Sequence, residues 1–348
     1  MAQLPNLKLL AGVTTLAAAL AVSGCASRSG TGPGAASADK AITWYTTIQA
    51  SDAQPVMDAF QKKTGIKVSL YTAATPTVWQ RLQAEESSNR HIADVLSITS
   101  ASITAEATQK GYLATLPASV TTGYPAGFAD TAGKWFAMRV TVVGLAYNTK
   151  TTTGDNVPKS WTDLFKPYFK DGITQSDATV STGGYLSDWQ LSHGAPPLDE
   201  SFLTKFAATA PFLDAHSGTQ VSAVVSGAKK IAIVPDDAAW AEQAKGAPIA
   251  IAYPTEGAVN FHDFNSVLQN APNKAGAEQF AAFLASSEGQ ALIGKSGTYV
   301  VQPDVKPVPE GRPALASLKL LDPQLEAAAA GQKEFLAKLV ELKLATKA

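Results

Sequence analysis

The sequence predicts an α/β protein of two lobes. Three observations carry this: short β-branched or aromatic runs alternate with helical periods, the alternation occurs twice, and two long extended segments, 135–147 and 259–268, separate the sets. A chain of 348 residues has length for two ordinary domains, and 45% hydrophobic against 16% charged residues supplies apolar side chain for two cores. Its 28 Lys and Arg balance 29 Asp and Glu, so no basic field exists to hold a nucleic-acid backbone.

The chain opens with Lys8 as its only early charge, an apolar run over 9–22, then Ser23, Gly24 and the single cysteine, Cys25. That layout is the charged region, apolar region and small-residue cleavage site of a secretory signal, and the run is short for a membrane span. Val22-Ser23-Gly24-Cys25 resembles a bacterial lipobox, which implies that 1–24 is a lipoprotein signal peptide and that Cys25 carries the acyl anchor. An ordinary signal peptide is the alternative, and either one exports the protein. Residues 25–39, rich in Gly, Ser and Ala, read as a flexible tether. With Cys25 spent, no cysteine remains for a disulfide, a thiolate nucleophile or a thiolate metal site.

In the first alternating set, 42–45, 67–71 and 94–98 read as strands. Ser51 or Asp52 can cap a helix whose Val56, Ala59, Phe60 and Lys63 share a face until Gly65 stops it, and Thr75 with Pro76 reads as an N-cap with proline at the first helical position. The second set comprises a strand at 172–175, helices at 186–193 and 202–213, a strand at 230–234, a helix to Lys245 and a strand at 249–253. Beyond the second extended segment, 275–293 is helical with a break near Ser286 and Ser287, and the Ala/Leu/Lys/Glu-rich stretch 324–344 reads as a surface helix.

Several of these pieces, in order, are similar to landmarks of one family. They are Ile42 to Tyr45, Phe60 to Val68, Ala93 to Leu96, Lys134 to Lys150, Val157 to Leu164, Gly246 to Ile249, Tyr253 to Gly257 and Ser287 to Ile293. Together they resemble the bacterial ABC-importer solute-binding lipoproteins of the ferric-iron, thiamine and phosphonate cluster, over about 40–304. The resemblance implies a periplasmic-binding-protein-like fold of type II, with a ligand cleft between two lobes joined by extended crossings. It places lobe 1 at 40–138 plus 259–348 and lobe 2 at 139–258. It further implies a monomeric, non-enzymatic receptor that needs no cofactor, closes on a small-molecule ligand and delivers it to an ABC permease of the cytoplasmic membrane. The receptor would face the periplasm or the cell exterior, held to the membrane through its lipid.

In open α/β sheets ligands sit beyond the carboxyl ends of strands, so the candidate contacts lie in the loops there. Tyr45, Thr46 and Thr47 follow the first strand, and Thr99 and Ser100 the third; their hydroxyls can hold an anion or merely cap helices. The loop 177–185 is similar to the family's anion-contacting loop, with Ser181, Thr182, Gly183 and Tyr185 as contacts. After the strand at 230–234 the iron-binding members carry adjacent tyrosines, whereas this chain has Asp236, Asp237 and Trp240. Asp236, Asp237 and Glu256 could still supply hard oxygen ligands to iron, or one carboxylate could face a cationic group beneath Trp240, Tyr45 or Tyr185. Asp237 can equally cap its helix, Glu256 can serve the hinge, and Arg139 can pair with a ligand anion or an internal carboxylate. The set suggests a ligand with a phosphate-like end and a cationic end, such as an aminoalkylphosphonate, or thiamine and its phosphates; the alternative is ferric iron held by carboxylates.

A secreted hydrolase and a purely structural surface lipoprotein are the readings from other classes. Against the hydrolase, no G-x-S-x-G elbow, P-loop, G-x-G-x-x-G or H-E-x-x-H motif is present. The four histidines are scattered, and adjacent His262 and Asp263 on a strand point to opposite faces.

Overall fold

The computed structural model describes residues 41–346; the expected signal peptide, Cys25 and the tether lie outside them. The first alternating set forms β1 (Ala41–Thr46), α1 (Ala50–Thr64), β2 (Lys67–Thr72), α2 (Thr75–Ser87), β3 (Val95–Ile98), α3 (Ala101–Gln109) and the single turn α4 (Ala118–Thr121). The first crossing is β4 (Phe136–Asn148). The second set forms β5 (Ile173–Ser176), α5 (Thr182–Gln190), α6 (Glu200–Ala207), β6 (Phe212–Asp214), α7 (Ser217–Val225), β7 (Ile231–Pro235), α8 (Asp236–Ala244) and β8 (Ile249–Ala252). The return crossing β9 (Val259–Val267) leads to α9 (Lys274–Ala285), α10 (Ser287–Gly294) and α11 (Leu325–Glu341).

The strands join one sheet of order β2-β1-β3-β9-β4-β7-β5-β6, with β8 also paired to β4. β1 to β3 pair in parallel, as do β5 with β6 and β7, whereas β4 and β9 are antiparallel to each other and to their neighbours β7 and β3. Each of the two crossings therefore serves both lobes. β4 pairs with β9 over residues 136–143 and with β7 and β8 over 143–148. Every residue of β9 is buried, and only Arg139, Thr141 and Tyr147 of β4 are partly open. Covered on both faces, β4 reads as a nearly continuous apolar run, whereas β9, equally buried, carries Asn260, His262, Asp263, Asn265 and Ser266; neither segment has a helical period.

Cores pack on both faces of each end of the sheet. In the first lobe Trp44, Phe60 and Phe280 join α1, α9 and α10 to one face, and Val78, Leu82 and Leu96 join α2 to the other. In the second, Trp161, Ile173, Leu186 and Phe202 gather α5 and α6, while Val221, Val234 and Ala239 gather α7 and α8.

Some boundaries differ from the sequence reading for local reasons. Helix α1 begins one turn earlier than a cap at Ser51 or Asp52 would allow, with Gln49 at its N-cap, and Gly65 ends it in the left-handed region at φ 77°. Ala74, not Thr75, is the N-cap of α2, though proline still occupies the first turn. The helix expected over 202–213 stops at Ala207; Ala210 turns the chain at positive φ, and 212–214 pair with β5 as an edge strand. The C-terminal helix is more than a surface element. Its Ala328, Phe335 and Leu339 enter the second-lobe core, with Phe335 edge-on to Trp189 at 5.1 Å between ring centroids.

The segment between α10 and α11 is tied down by Arg312. Its guanidinium pairs with Asp236 through Nε at 3.1 Å and Nη2 at 2.5 Å, both side chains being about 1% exposed. Nη1 donates to the carbonyls of Gly297 and Val308, and the cation lies 3.7 Å from the Tyr299 ring centroid. Cutting one partner of a buried pair leaves an uncompensated charge. Arg312→Met should therefore cost about 3–5 kcal/mol in denaturant unfolding, and adding Asp236→Leu should recover part of that loss.

His262, on β9, is also buried, with Nε2 3.2 Å from Asn260 Oδ1 and the ring 4.8 Å from that of Phe128. Burial lowers its pKa to about 4, against a weaker opposing pull from Asp263. The unfolded chain takes this proton near the ordinary histidine value of about 6.5, so the stability that neutral His262 contributes is lost as pH falls from there toward 4. Urea unfolding of His262→Gln against wild type should show a stability difference that shifts in favour of the variant between pH 7 and pH 4.

Candidate functional site

The carboxyl ends of β5 and β7 open onto a cavity of about 260 Å³ in the second lobe, floored by Val143 of β4 and Phe261 of β9. Its walls are Gln175 and Ser176 at the end of β5, the first turns of α5 and α7, and Pro235. Two helices thus bring their positive N-terminal ends and backbone N–H groups to one space, the arrangement that holds an anion without a formal cation. No lysine or arginine lines it; His216, which precedes α7, is its only ionisable neighbour in the lining.

The sequence builds this shape locally. Asp177 caps the loop by accepting from the Thr179 amide at 2.9 Å and its hydroxyl at 2.8 Å, and Thr346 donates to it from the C-terminal end. These bonds hold the Asp177 carboxyl below its usual range although burial pulls the other way. Ser181 caps α5, its Oγ accepting from Gly184 N at 3.1 Å. Two glycines then permit close packing: a Cβ on Gly184 would fall 2.5 Å from the Ser176 carbonyl, and one on Gly183 would fall 3.0 Å from the Phe261 ring. Ser176 is positioned in turn by the Gln220 amide, which donates to it at 3.1 Å.

Of the anion-loop candidates, Ser181 and Gly183 line the cavity. Thr182 is exposed beside it. Tyr185 turns away, buried against α11 with its hydroxyl donating to the Ala328 carbonyl.

The first-lobe candidates divide in the same way. Tyr45 does not reach the cleft: it is fully buried, donates to Glu85, and packs against Tyr71 beneath the Arg81 guanidinium. Burial and the Glu85 carboxylate push its phenol far up. Thr46 is buried, accepting from the Ile48 amide, and Ser100 caps α3 by accepting from Ile103 N. Thr47 and Thr99 are partly open and adjoin at 3.5 Å, and Thr99 donates to Asp263 at 2.6 Å.

Asp263 lies opposite Arg139 in the β4–β9 ladder and pairs with it. Burial works against the Arg139 charge, but Asp263, with help from Asp237 and Asp52, more than restores it. Arg139 is therefore an internal pair with one face toward the cleft, between a carboxylate from α1 and one from α8. Asp237 is half-buried, its carboxyl raised by burial and drawn back by Arg312 and Arg139.

Other acidic and aromatic candidates are committed elsewhere. Asp236 belongs to Arg312 and also accepts from the Tyr253 hydroxyl. Glu256 accepts from Ser160 beside Trp161, and Trp240 donates to Tyr253 Oη at 2.9 Å. Asp236, Asp237 and Glu256 thus do not assemble as a ligand trio, and no group of three or more His, Cys, Asp or Glu suited to a metal exists among the described residues. The three rings proposed to cover a cation are all engaged in packing or internal hydrogen bonds.

Sequence reasoning missed Gln175, Ser176, Ser187, Ser217 and Phe261, all of which line the cavity. The signal was present in the polar end of the β5 strand, Gln175-Ser176, and in His216-Ser217-Gly218, a turn into a helix. Reading 202–213 as one helix hid the short edge strand, and with it the helix start that follows.

The chain matches the model of the bacterial extracellular solute-binding protein family over residues 90–317. The major ferric iron-binding proteins of two Neisseria meningitidis strains are each 26% identical over 321 residues, covering 86% of this chain and 92% of theirs. Among solved structures, the Trichodesmium protein IdiA (FutA) in complex with iron and citrate has a TM-score of 0.74 at 21% identity, over 87% of this chain and 99% of that one. AfuA of Actinobacillus pleuropneumoniae, with fructose-6-phosphate bound, has a TM-score of 0.69 at 22% identity, over 88% and 100%. These likenesses show the two-lobed fold, and no described helix is long and apolar enough to cross a membrane. With the family match running from the end of α2 to the segment before α11, the chain belongs to the bacterial extracellular solute-binding proteins.

Proposed function

We propose that this chain is the lipid-anchored receptor of an ABC importer, and that it captures a small organic phosphate or phosphonate whose other end is cationic or rich in hydroxyls. The observation that carries the reading is the second-lobe cavity, where two helix N-termini and the hydroxyls of Ser176, Ser181, Ser187 and Ser217 surround one space without a lysine or arginine. The second end of the ligand has a matching feature. Asp263 lies two residues beyond Phe261 on β9, about 7 Å along the strand, and with Asp52 and Asp237 it surrounds Arg139 with more negative charge than that one cation offsets. A phosphate in the cavity thus leaves the rest of a small ligand over carboxylates that accept from ammonium or hydroxyl groups.

On the expected division, lobe 1 at 40–138 plus 259–348 and lobe 2 at 139–258, Arg139 and Phe261 stand on the crossings and the remaining lining of the cavity falls in lobe 2, although α11 packs into the second-lobe core and so joins that lobe. On this reading ligand bound first to lobe 2 stabilises closure by adding contacts to Thr47, Thr99 and Asp52 of lobe 1, and closure presents the permease with a distinct surface. Ferric iron is the second reading, supported by the 26% identical relatives. It requires donors other than the Asp236, Asp237 and Glu256 trio, with Asp237, Asp263 and a bound oxyanion as the nearest set.

Calorimetric titration of the mature chain with aminoalkylphosphonates, thiamine phosphates, sugar phosphates and Fe(III), with and without phosphate or citrate, separates the two. For an organic phosphate, Ser181→Ala should weaken binding about 5–10-fold, one hydrogen bond's worth. Gly183→Ala should weaken it at least as much while leaving Tm within a few degrees, because alanine favours the helix as its methyl meets Phe261. Unaltered binding in both variants would place the ligand elsewhere, and heat from Fe(III) alone would favour the metal.

A further inference from the structure

Beneath the cavity lie polar atoms that the fold itself leaves without partners. Asp188, on the inner face of α5, has no exposed surface, and neither carboxyl oxygen has a hydrogen-bond partner. Gln175 is 2% exposed and lines the cavity, yet its Nε2 has no partner either. Nε2 is turned inward beside the Asp188 carboxyl, short of a formed hydrogen bond, so the amide as it stands presents its oxygen to the cavity. An unsatisfied buried polar group is costly, so two side by side beside this cavity point to a function for the pair.

Burial favours the neutral acid at Asp188; Gln175 opposes this and the Asp177 charge adds to it. The other elements packed on α5 present apolar groups, Val259 and Phe261 from β9 and Phe335 and Leu339 from α11. No cation among these groups offsets a negative charge there. The chemistry of the pair then depends on the carboxyl proton. An ionised carboxylate accepts from Nε2 and turns the amide oxygen, an acceptor, toward the cavity. A protonated carboxyl donates to Oε1 and turns the amide N–H groups there instead.

We propose that Asp188 is a positioning residue for anion capture: with the Gln175 amide turned over from the orientation seen in the unliganded chain, the protonated carboxyl donates to Oε1 and thereby aims an Nε2–H into the cavity, where it donates to the ligand's oxyanion. This rests on the reading of the cavity as the anion site. The pair makes the site selective for ligands that accept at this position, and it uses no net charge to do so.

The test is calorimetry of the mature chain with inorganic phosphate and sulfate as probes, with infrared spectroscopy of the unliganded protein alongside. Asp188→Leu and Gln175→Leu should each weaken phosphate about tenfold, and the double variant no further than either alone, because both remove the same donor. Asp188→Asn should bind within about threefold of wild type, since its amide N–H can donate to Gln175 as the acid does. Asp188→Leu should keep or raise Tm, an apolar side chain replacing a buried acid without a partner. The infrared spectrum at neutral pH should contain a protonated-carboxyl band that Asp188→Asn removes. Wild-type affinity in Asp188→Leu, additive losses in the double variant, or absence of that band would each overturn the role of Asp188 while leaving the cavity reading intact. If the wild type shows the band but neither phosphate nor sulfate gives heat, the cavity reading fails and the proposed role fails with it.

Discussion

The antiparallel pairing of β4 with β9 is the constraint on which the rest depends. Because these strands carry the chain from one parallel half-sheet to the other and back, every side chain that points from them toward the cleft is fixed relative to both lobes. Arg139 and Asp263 face each other across the ladder, and Phe261 lies two residues from Asp263 along the same strand. Burial of both strands makes these placements rigid, since displacing one rung would expose apolar surface on two faces at once. The helix ends that wall the cavity are thus arranged around a floor made by the crossings.

Charge is distributed on that floor in a way that separates two tasks. The cavity near Phe261 offers dipoles and hydroxyls, while Arg139 is paired with Asp263 and lies within the electrostatic reach of Asp237 and Asp52. Asp236, next to Asp237 in sequence, is withdrawn from this arrangement by Arg312, which makes one of two consecutive acids structural and leaves the other facing the cleft. Adjacent residues at a helix start point in different directions, so the two carboxylates could not both serve one ligand without distorting the first turn of α8.

Much of this was legible in the sequence. Hydrophobic period and turn residues located the strands and most helices, and two helix-free runs identified the crossings, 135–147 by its nearly continuous apolar side chains and 259–268 by its lack of a helical period. That Ser181 and Gly183 line a cavity was legible from the resemblance of 177–185 to a family loop and from a local pattern, a cap followed by glycines at a helix start. Tyr45 and Tyr185 were misjudged for a tertiary one. An aromatic beside a site loop has the same sequence signature whether it faces the ligand or a buried partner, and here Glu85 and the Ala328 carbonyl claimed the hydroxyls. Asp263 was legible only as the neighbour of His262; that it faces Arg139 follows from the register of β4 on β9, which no local pattern encodes. Gln175 was invisible for a similar reason, since its meaning comes from Asp188, thirteen positions along the chain and one layer below.

The absence of lysine and arginine from the cavity lining has a consequence for where such a protein can work. Attraction between ions in solvent falls off over about 8 Å at physiological ionic strength and over shorter distances in brine, so a site built on surface lysines loses its anion as salt rises. Donors fixed at the N-terminal ends of two helices act at contact distance and carry no mobile counterions of their own. A protein outside the cell meets whatever salinity its surroundings impose, and on the proposed anion reading this cavity would lose less affinity across that range than a site built on surface lysines.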